Sequence, residues 1–208
     1  MKEEKDYIRD IAEIRSMMER SSKFLMLSGW SGVMAGIYAL AGVFIALYIF
    51  HFNPDEAVQA NRNTEYLSGA LLNIILLALV VLILALGTAI FLSSQKAQKR
   101  GEKLWSVTSR RLLMNMAVPL ITGGVLILIL ISKGMIAFIA PLSLIFYGLA
   151  LYNASKFTYE EIKYLGFIQI ILGLISAYFV ENGLLVWGFG FGVVHIIYGI
   201  YIHFKYEK

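Results

Sequence analysis

The sequence predicts an all-α, polytopic membrane protein with six transmembrane helices arranged as three hairpins, preceded by an amphipathic cytoplasmic helix. Apolar residues make up 59% of the 208-residue chain, against roughly 45 to 50% in soluble domains. They are concentrated in runs close to the roughly 20 residues that a helix needs to cross a bilayer. Basic residues fall almost entirely between alternate runs, as expected when the chain crosses a membrane repeatedly.

Composition shifts along the chain predict two parts, a cytoplasmic amphipathic helix over 1–24 and a six-helix transmembrane domain over 25–208. The predicted spans cover about 27–50, 67–93, 112–131, 135–152, 162–180 and 184–204. A chain of this length is then expected to hold one helical domain and no separate catalytic domain.

The distribution of charge predicts the topology. Sixteen of the 18 Lys and Arg residues lie before the first span, after the last, or in loops on the same side as these ends, and only Arg62 and Lys133 lie in the other loops. Short cytoplasmic loops carry such an excess, so we expect a multi-pass protein of the cell membrane with both termini cytoplasmic. Because topology accounts for the net charge of +4, and no basic patch with interleaved aromatic residues accompanies it, we expect no nucleic-acid partner.

An apolar stripe marks the N-terminal helix. Tyr7, Ile11, Ile14 and Met18 recur at spacings of four, three and four, which places them on one helix face. This candidate partner face has three interpretations. The stripe lies on the lipid bilayer or on the cytoplasmic ends of the spans, it docks another protein, or it pairs with a second copy of the chain.

Local signals predict where several helices begin and end. The first span carries small residues at helical spacing, which favour close packing against another helix in lipid. The second span is uniformly aliphatic and is expected to face lipid, with Gly101 ending its helix. The third and fourth spans are joined by a turn at 132–134. Thr158 and Glu161 have the spacing of a capping box, which predicts the start of the fifth helix.

Small and polar residues predict a seam between the fifth and sixth helices. They recur at helical spacing on each: Gly166, Gln169, Gly173 and Ser176 on the fifth, and Gly188, Gly192, His195 and Gly199 on the sixth. Small residues let helix backbones approach closely in lipid. Folding the pair about Asn182 places Gln169 opposite His195, so we expect these two faces to pack on each other.

His195 is the main candidate for intramembrane chemistry, because it is the only ionisable residue deep in a predicted span and such residues are often functional. A structural interpretation has its neutral imidazole bonded to Gln169; proton or ion coupling is the alternative. Haem or metal ligation would need a second histidine at the same depth. Asn115 is expected opposite Tyr152 or Asn153, where it would form a structural hydrogen bond. The candidate intramembrane polar site consists of His195, Gln169, Asn115 and Tyr152.

Motifs of soluble enzymes are absent. The chain has no cysteine, which excludes disulfides and thiolate metal sites, and it has no catalytic triad, phosphate loop or dinucleotide fingerprint. We therefore expect no enzyme, cofactor or metal. The favoured hypothesis is a partner-binding or regulatory membrane protein that acts through its N-terminal helix and its basic second cytoplasmic loop. The alternative is a transporter or channel subunit for a small solute or ion, with His195 in the path.

The segment Ile14–Leu40, with the sequence IRSMMERSSKFLMLSGWSGVMAGIYAL, resembles the N-terminal region of uncharacterised bacterial six-span integral membrane proteins that begin with a cytoplasmic helix. The resemblance covers about the first 40 residues of the sequence. It implies the same architecture and carries no function. It also marks the junction between the helix and the first span as the signature of that group.

Overall fold

The computed structural model describes residues 23–52, 64–102 and 104–207. Within these ranges the chain is helical and contains no strand. Its six principal helices are α1 (Gly29–Ile49), α2 (Thr64–Lys99), α3 (Val107–Ser132), α4 (Ile136–Ala154), α5 (Ile162–Tyr178) and α6 (Val180–Tyr206). The prediction of an all-α chain is confirmed for this part of the molecule.

Five of these helices are long and apolar enough to cross a membrane: α1, α3, α4, α6 and the Leu72–Lys99 portion of α2. The remaining helix, α5, is apolar and has 17 residues, at the lower limit of what spans a bilayer. The burial of α2 supports this interpretation, because no residue in its most apolar stretch is buried inside the protein. The chain therefore has the helices of a polytopic membrane protein.

Glycines end two helices as expected. The last residue of α2 is Lys99, and Gly101 follows with a φ of 65°. The turn between α3 and α4 contains Gly134 with a φ of 74°. Glycine adopts this left-handed conformation readily because it has no Cβ. The predictions for these two turns are confirmed.

The closest helix pairs are α4 with α5 and α1 with α6. Glycine permits both approaches. A Cβ added to Gly148 of α4 would lie 2.6 Å from the carbonyl oxygen of Gly166 on α5, and one added to Gly36 of α1 would lie 2.6 Å from that of Gly192 on α6. No side chain larger than hydrogen fits at such distances without backbone movement.

The predicted glycine seam between the fifth and sixth helices is therefore wrong. The glycines of α5 face α4, and Gly188, Gly192 and Gly199 of α6 face Val43, Leu40 and Val33 of α1. A glycine-lined face accepts any helix that presents a matching surface, so spacing alone does not name the partner. Consecutive helices of the predicted hairpins also pack on each other, α1 with α2 and α3 with α4, but the most extensive packing in the described bundle joins helices of different hairpins.

The chain enters and leaves the bundle at the same end. The N–H of Gly29, at the start of α1, donates to Oε1 of Glu207, directly after α6, over 3.0 Å. Lys23–Ser28 before α1 is not helical. The last two residues of the N-terminal helix predicted over 1–24 are therefore not helical in the structure. Residues 1–22 lie outside the described ranges.

Candidate functional site

A polar cluster lies between α4, α5 and α6, where α6 changes from α-helical to π-helical geometry over Phe189–Val194. His195 follows this segment directly. Its side chain is 4% exposed, and that of Gln169 on α5 is 0% exposed. Gln169 Nε2 donates to the carbonyl oxygen of Gly190 over 2.8 Å and lies 3.4 Å from Nδ1 of His195. The expected proximity of Gln169 and His195 is present.

The hydrogen bonds identify the tautomer of His195. Its Nδ1 lies 2.9 Å from the Gly190 carbonyl oxygen, which can only accept, so Nδ1 carries the proton. Its Nε2 lies 3.0 Å from the hydroxyl of Tyr147 on α4, and in a neutral imidazole this nitrogen accepts from the hydroxyl. Both ring nitrogens are therefore bonded. In the described part of the chain, Gln169 Oε1 is buried without a hydrogen-bond partner.

Aromatic rings enclose the imidazole. Phe191 stacks on it with ring centroids 5.6 Å apart and an interplanar angle of 16°, and the Tyr147 ring lies 5.5 Å away. Trp187 continues the cluster, 4.9 Å from Phe191. The contacts of the imidazole thus join α4, α5 and α6. A proton or solute pathway also requires polar groups inside the bundle. The imidazole of His195, the hydroxyl of Tyr147 and the amide of Gln169 would supply them if they exchanged hydrogen-bond partners.

Regular α-helical spacing predicted that His195 lies on the same helix face as its neighbouring glycines. In the structure it does not. Gly192 and Gly199 face α1, whereas the His195 side chain points to α4 and α5. The π-helical segment lies directly before His195 and contains Gly192. A π-helical turn contains more residues than an α-helical one, so positions on its two sides no longer follow the α-helical period.

Asn115 and Tyr152 do not form the hydrogen bond that the sequence predicted. The Asn115 amide is exposed and donates to the carbonyl of Arg111 in its own helix over 2.8 Å. The Tyr152 ring packs on Phe167 of α5, with centroids 5.1 Å apart. The prediction assumed that α3 and α4 turn matching faces toward each other. Instead, the Asn115 side chain is directed to the bundle surface and satisfies its donor locally.

The candidate partner face, Tyr7, Ile11, Ile14 and Met18, lies outside the described residues.

A second polar cluster, which sequence reasoning missed, lies where the chain enters the bundle. Lys96 of α2 is at its centre, and its ammonium group donates to the carbonyl of Leu27 over 2.8 Å, to the hydroxyl of Tyr159 over 3.1 Å and to Oε1 of Glu207 over 2.8 Å. These three bonds use every donor of the ammonium group. We call Lys96, Glu207, Tyr159 and the 23–28 segment the entry junction.

Glu207 completes the junction from the other side. Its Oε1 accepts from Lys96 and from the N–H of Gly29, and its Oε2 pairs with Nδ1 of His203 at 2.7 Å. Burial raises the pKa of this carboxyl, but the hydrogen bonds from His203, Lys96 and Gly29 and the charge of Lys96 outweigh burial, so the pKa is lowered. The carboxylate is therefore stabilised in its charged form.

The 23–28 segment is fixed through its backbone. Phe24 and Met26 are buried in a cluster with Ala97 of α2 and Leu112 of α3. The N–H of Phe24 donates to the carbonyl of Phe157 over 2.7 Å. The Thr158 hydroxyl donates to the carbonyl of Phe24, and the Tyr159 hydroxyl to that of Leu25, each over 2.7 Å.

These contacts correct the predicted capping box. The Thr158 side chain bonds the incoming segment, and α5 begins at Ile162 with Glu161 as its N-cap and no side-chain cap. Glu161 instead pairs with Lys205 and accepts from the Tyr206 hydroxyl. Burial raises the pKa of Glu161, but these two hydrogen bonds and the Lys205 charge lower it further than burial raises it.

Sequence spacing could not have revealed the entry junction, because its central pair is 111 residues apart and its backbone acceptors belong to a segment that was predicted as helix. No signal in the sequence indicated the pair, because Lys96 follows the predicted second span and a cation in the last turn of a helix is favourable without a specific partner. Within the described ranges, no three His, Asp or Glu side chains are grouped to hold a metal ion.

Comparison with known proteins assigns the chain to no family, because no family model, curated protein or solved structure matches it. The resemblance to bacterial six-span proteins is therefore not supported by these comparisons.

Proposed function

We propose that this chain is a non-enzymatic protein of the cell membrane, with six spans and cytoplasmic termini, that binds a partner through its N-terminal helix and the basic loop between α2 and α3. Partner binding changes the packing of the bundle through the entry junction. The observation that carries the proposal is the fixed attachment of the 23–28 segment to the last turn of α2 and to the turn before α5, next to the bond that joins Gly29 to Glu207 after α6.

The attachment provides the coupling. Four hydrogen bonds join the backbone of Phe24, Leu25 and Leu27 to the chain around residues 157–159 and to Lys96. Residues 1–22 directly precede this segment. A partner that binds them and displaces the segment must therefore break bonds that hold several helix ends together. A partner that binds the two arrangements with different affinity then shifts the equilibrium between them.

The polar cluster around His195 supports a structural role for the interior. Both nitrogens of His195 are bonded, and Tyr147 and Phe191 flank its ring. Intramembrane polar groups that are satisfied in this way contribute to register and packing.

Site-specific photocrosslinking in intact cells tests the proposal. A photoreactive amino acid at Ile11 or Ile14 of the full chain should give one discrete adduct, and the same group at Ser16, off the apolar stripe, should give none. Deleting residues 2–20, which leaves the junction intact, should abolish binding of the captured partner and leave the thermal unfolding temperature unchanged. Equal crosslinking at Ile14 and Ser16 would contradict the proposal.

One observation favours a transporter or channel as the second candidate. Gln169 Oε1 and the Tyr198 hydroxyl are buried without partners in the described structure, and a translocated ion or solute could satisfy such groups. Purified protein in sealed vesicles would then conduct protons or small ions, and His195→Phe would reduce the flux. Flux that is equal in wild type, His195→Phe and empty vesicles would eliminate this candidate.

A further inference from the structure

We propose that the turn between α2 and α3 binds the headgroup of an anionic phospholipid whose acyl chain lies along α3. The inference deepens the proposed function and rests on it in one respect, because it takes the basic loop as a binding surface and assigns a lipid to it, beside the partner that the N-terminal helix binds. It is carried by the charges of the turn and by an exposed apolar stripe that continues from them.

Four exposed cations surround the turn. Lys99 and Arg100 end the α2 side, and Arg110 and Arg111 begin the α3 side. The two helix ends lie close together, because Ala97 and Leu112 share one buried cluster. The ion pairs of the described chain involve none of these four cations. Glu102 is the single acid between them in the sequence, so the turn keeps a clear excess of positive charge.

The two arginines lie at the end of α3 where a helix favours anions. Cations stabilise the C-terminal end of a helix and anions its N-terminal end, yet Arg110 and Arg111 are the fourth and fifth residues of α3, and its first turn has no acid. Ser106 and Ser109 already cap the helix through a capping box. The arginines are therefore not explained by helix stability, and an external anion would relieve their mutual repulsion.

An apolar stripe leads from these charges into the membrane. Met114, Val118, Ile121, Val125 and Leu128 follow Arg111 at spacings of three and four, and their side chains are between 52% and 69% exposed. Residues at these spacings share one helix face. The ten-residue rise from Arg111 to Ile121 is about 15 Å, half of a hydrocarbon core of roughly 30 Å. The part of the stripe from Met114 to Ile121 thus lies within the depth of one leaflet.

Trp105 marks the membrane surface at the same place. Its side chain is 68% exposed and lies in the turn itself, and tryptophan is enriched at the level of lipid headgroups. A guanidinium group binds phosphate through two parallel hydrogen bonds. A zwitterionic headgroup would place its own cation beside the four cations of the turn, whereas an anionic headgroup carries no such cation. A free phosphate ion would contact the arginines alone and would not extend along the stripe.

Fluorescence quenching measures the enrichment of lipid at Trp105. The full chain with Trp30→Phe and Trp187→Phe is placed in phosphatidylcholine vesicles that contain a minor fraction of brominated phosphatidylglycerol or of brominated phosphatidylcholine. We expect stronger quenching by the anionic lipid. The double variant Arg110→Gln/Arg111→Gln should lower that preference by about fivefold per arginine, the factor expected for one surface cation near an anionic leaflet. The matched control Lys133→Gln/Lys156→Gln removes two exposed cations from other turns and should retain it.

Three outcomes would overturn the inference: equal quenching by the two lipids, equal loss in the control, or displacement of the lipid by inorganic phosphate at matched ionic strength. The last would assign the site to a free anion. If the tryptophan variant does not fold, native mass spectrometry of the wild type and the two double variants compares bound anionic lipid directly. Crosslinking at Ile14 is a separate readout, so loss of lipid selectivity with intact crosslinking refutes this inference alone, and loss of crosslinking refutes the proposed function.

Discussion

Lys96 and Glu207 form an ion pair with 2.8 Å between Nζ and Oε1, and each side chain is only 12% exposed. The pair joins α2 to the residue that follows α6. Its two members also bind the carbonyl of Leu27 and the N–H of Gly29. One ion pair therefore connects the ends of α1, α2 and α6, and the stability of this end of the bundle depends on it.

Glu207→Gln should destabilise the protein by about 2 kcal/mol, the order expected when a hydrogen bond to a charged group is lost. The amide cannot neutralise Lys96, which stays nearly buried. Glu160→Gln is the matched control, because Glu160 is exposed in the turn before α5. Unfolding by denaturant in detergent micelles measures both variants, and equal stability would contradict the role assigned to the pair.

Acidification should destabilise the wild type more than the double variant Glu161→Gln/Glu207→Gln. Both carboxyls have a folded-state pKa below the ordinary value of 4.5, so the unfolded chain binds protons first as the pH falls. Their contribution is complete above about pH 5 and is lost as the pH falls through their folded-state values. Unfolding temperatures measured from neutral to acidic pH should converge for the two proteins, and parallel curves would refute the prediction.

Gly199→Ala should destabilise the contact between α1 and α6 by about 1 to 3 kcal/mol, the usual cost of overpacking. A Cβ at this position would lie 2.6 Å from the carbonyl oxygen of Gly29 and from the N–H nitrogen of Val33, and neither backbone atom can move alone. Gly124→Ala on α3 is the control, because beyond its own helical turn no atom lies within 4 Å of its Cβ position. The control should be neutral or slightly stabilising, since alanine favours helix. Similar unfolding midpoints for the two variants would show that the contact is looser than described.

Gln169→Leu should cost much less than Gly199→Ala, near the average of about 0.6 kcal/mol for a hydrogen bond inside a membrane. The substitution removes one of two donors to the Gly190 carbonyl, and His195 still donates to it. It also removes the unpartnered Oε1. The same unfolding assay makes the comparison, and a loss as large as that of Gly199→Ala would mean that the cluster holds the helices together.

Several features were predictable because they depend on neighbouring residues. Gly101 and Gly134 end helices through their own backbone conformation. Gln169 and His195 meet because each helix rises by the same amount per residue from a shared turn, which places both at one depth. The capping box at Thr158 failed although its spacing was correct, because α5 begins only at Ile162 and Thr158 is therefore not its N-cap. The Thr158 hydroxyl donates instead to the Phe24 carbonyl, which comes from a distant part of the chain.

By itself the sequence determined the helical, membrane-spanning character of the chain and the depth of its polar residues, because apolar length and helical rise are local quantities. Only the tertiary structure decided which helices pack together. The glycines of α5 and α6 face α4 and α1, since a face of small residues fits several helices equally well and the choice depends on total packing. It likewise decided that Lys96 pairs with Glu207, because no period in a sequence relates two charges that only the folded bundle brings together.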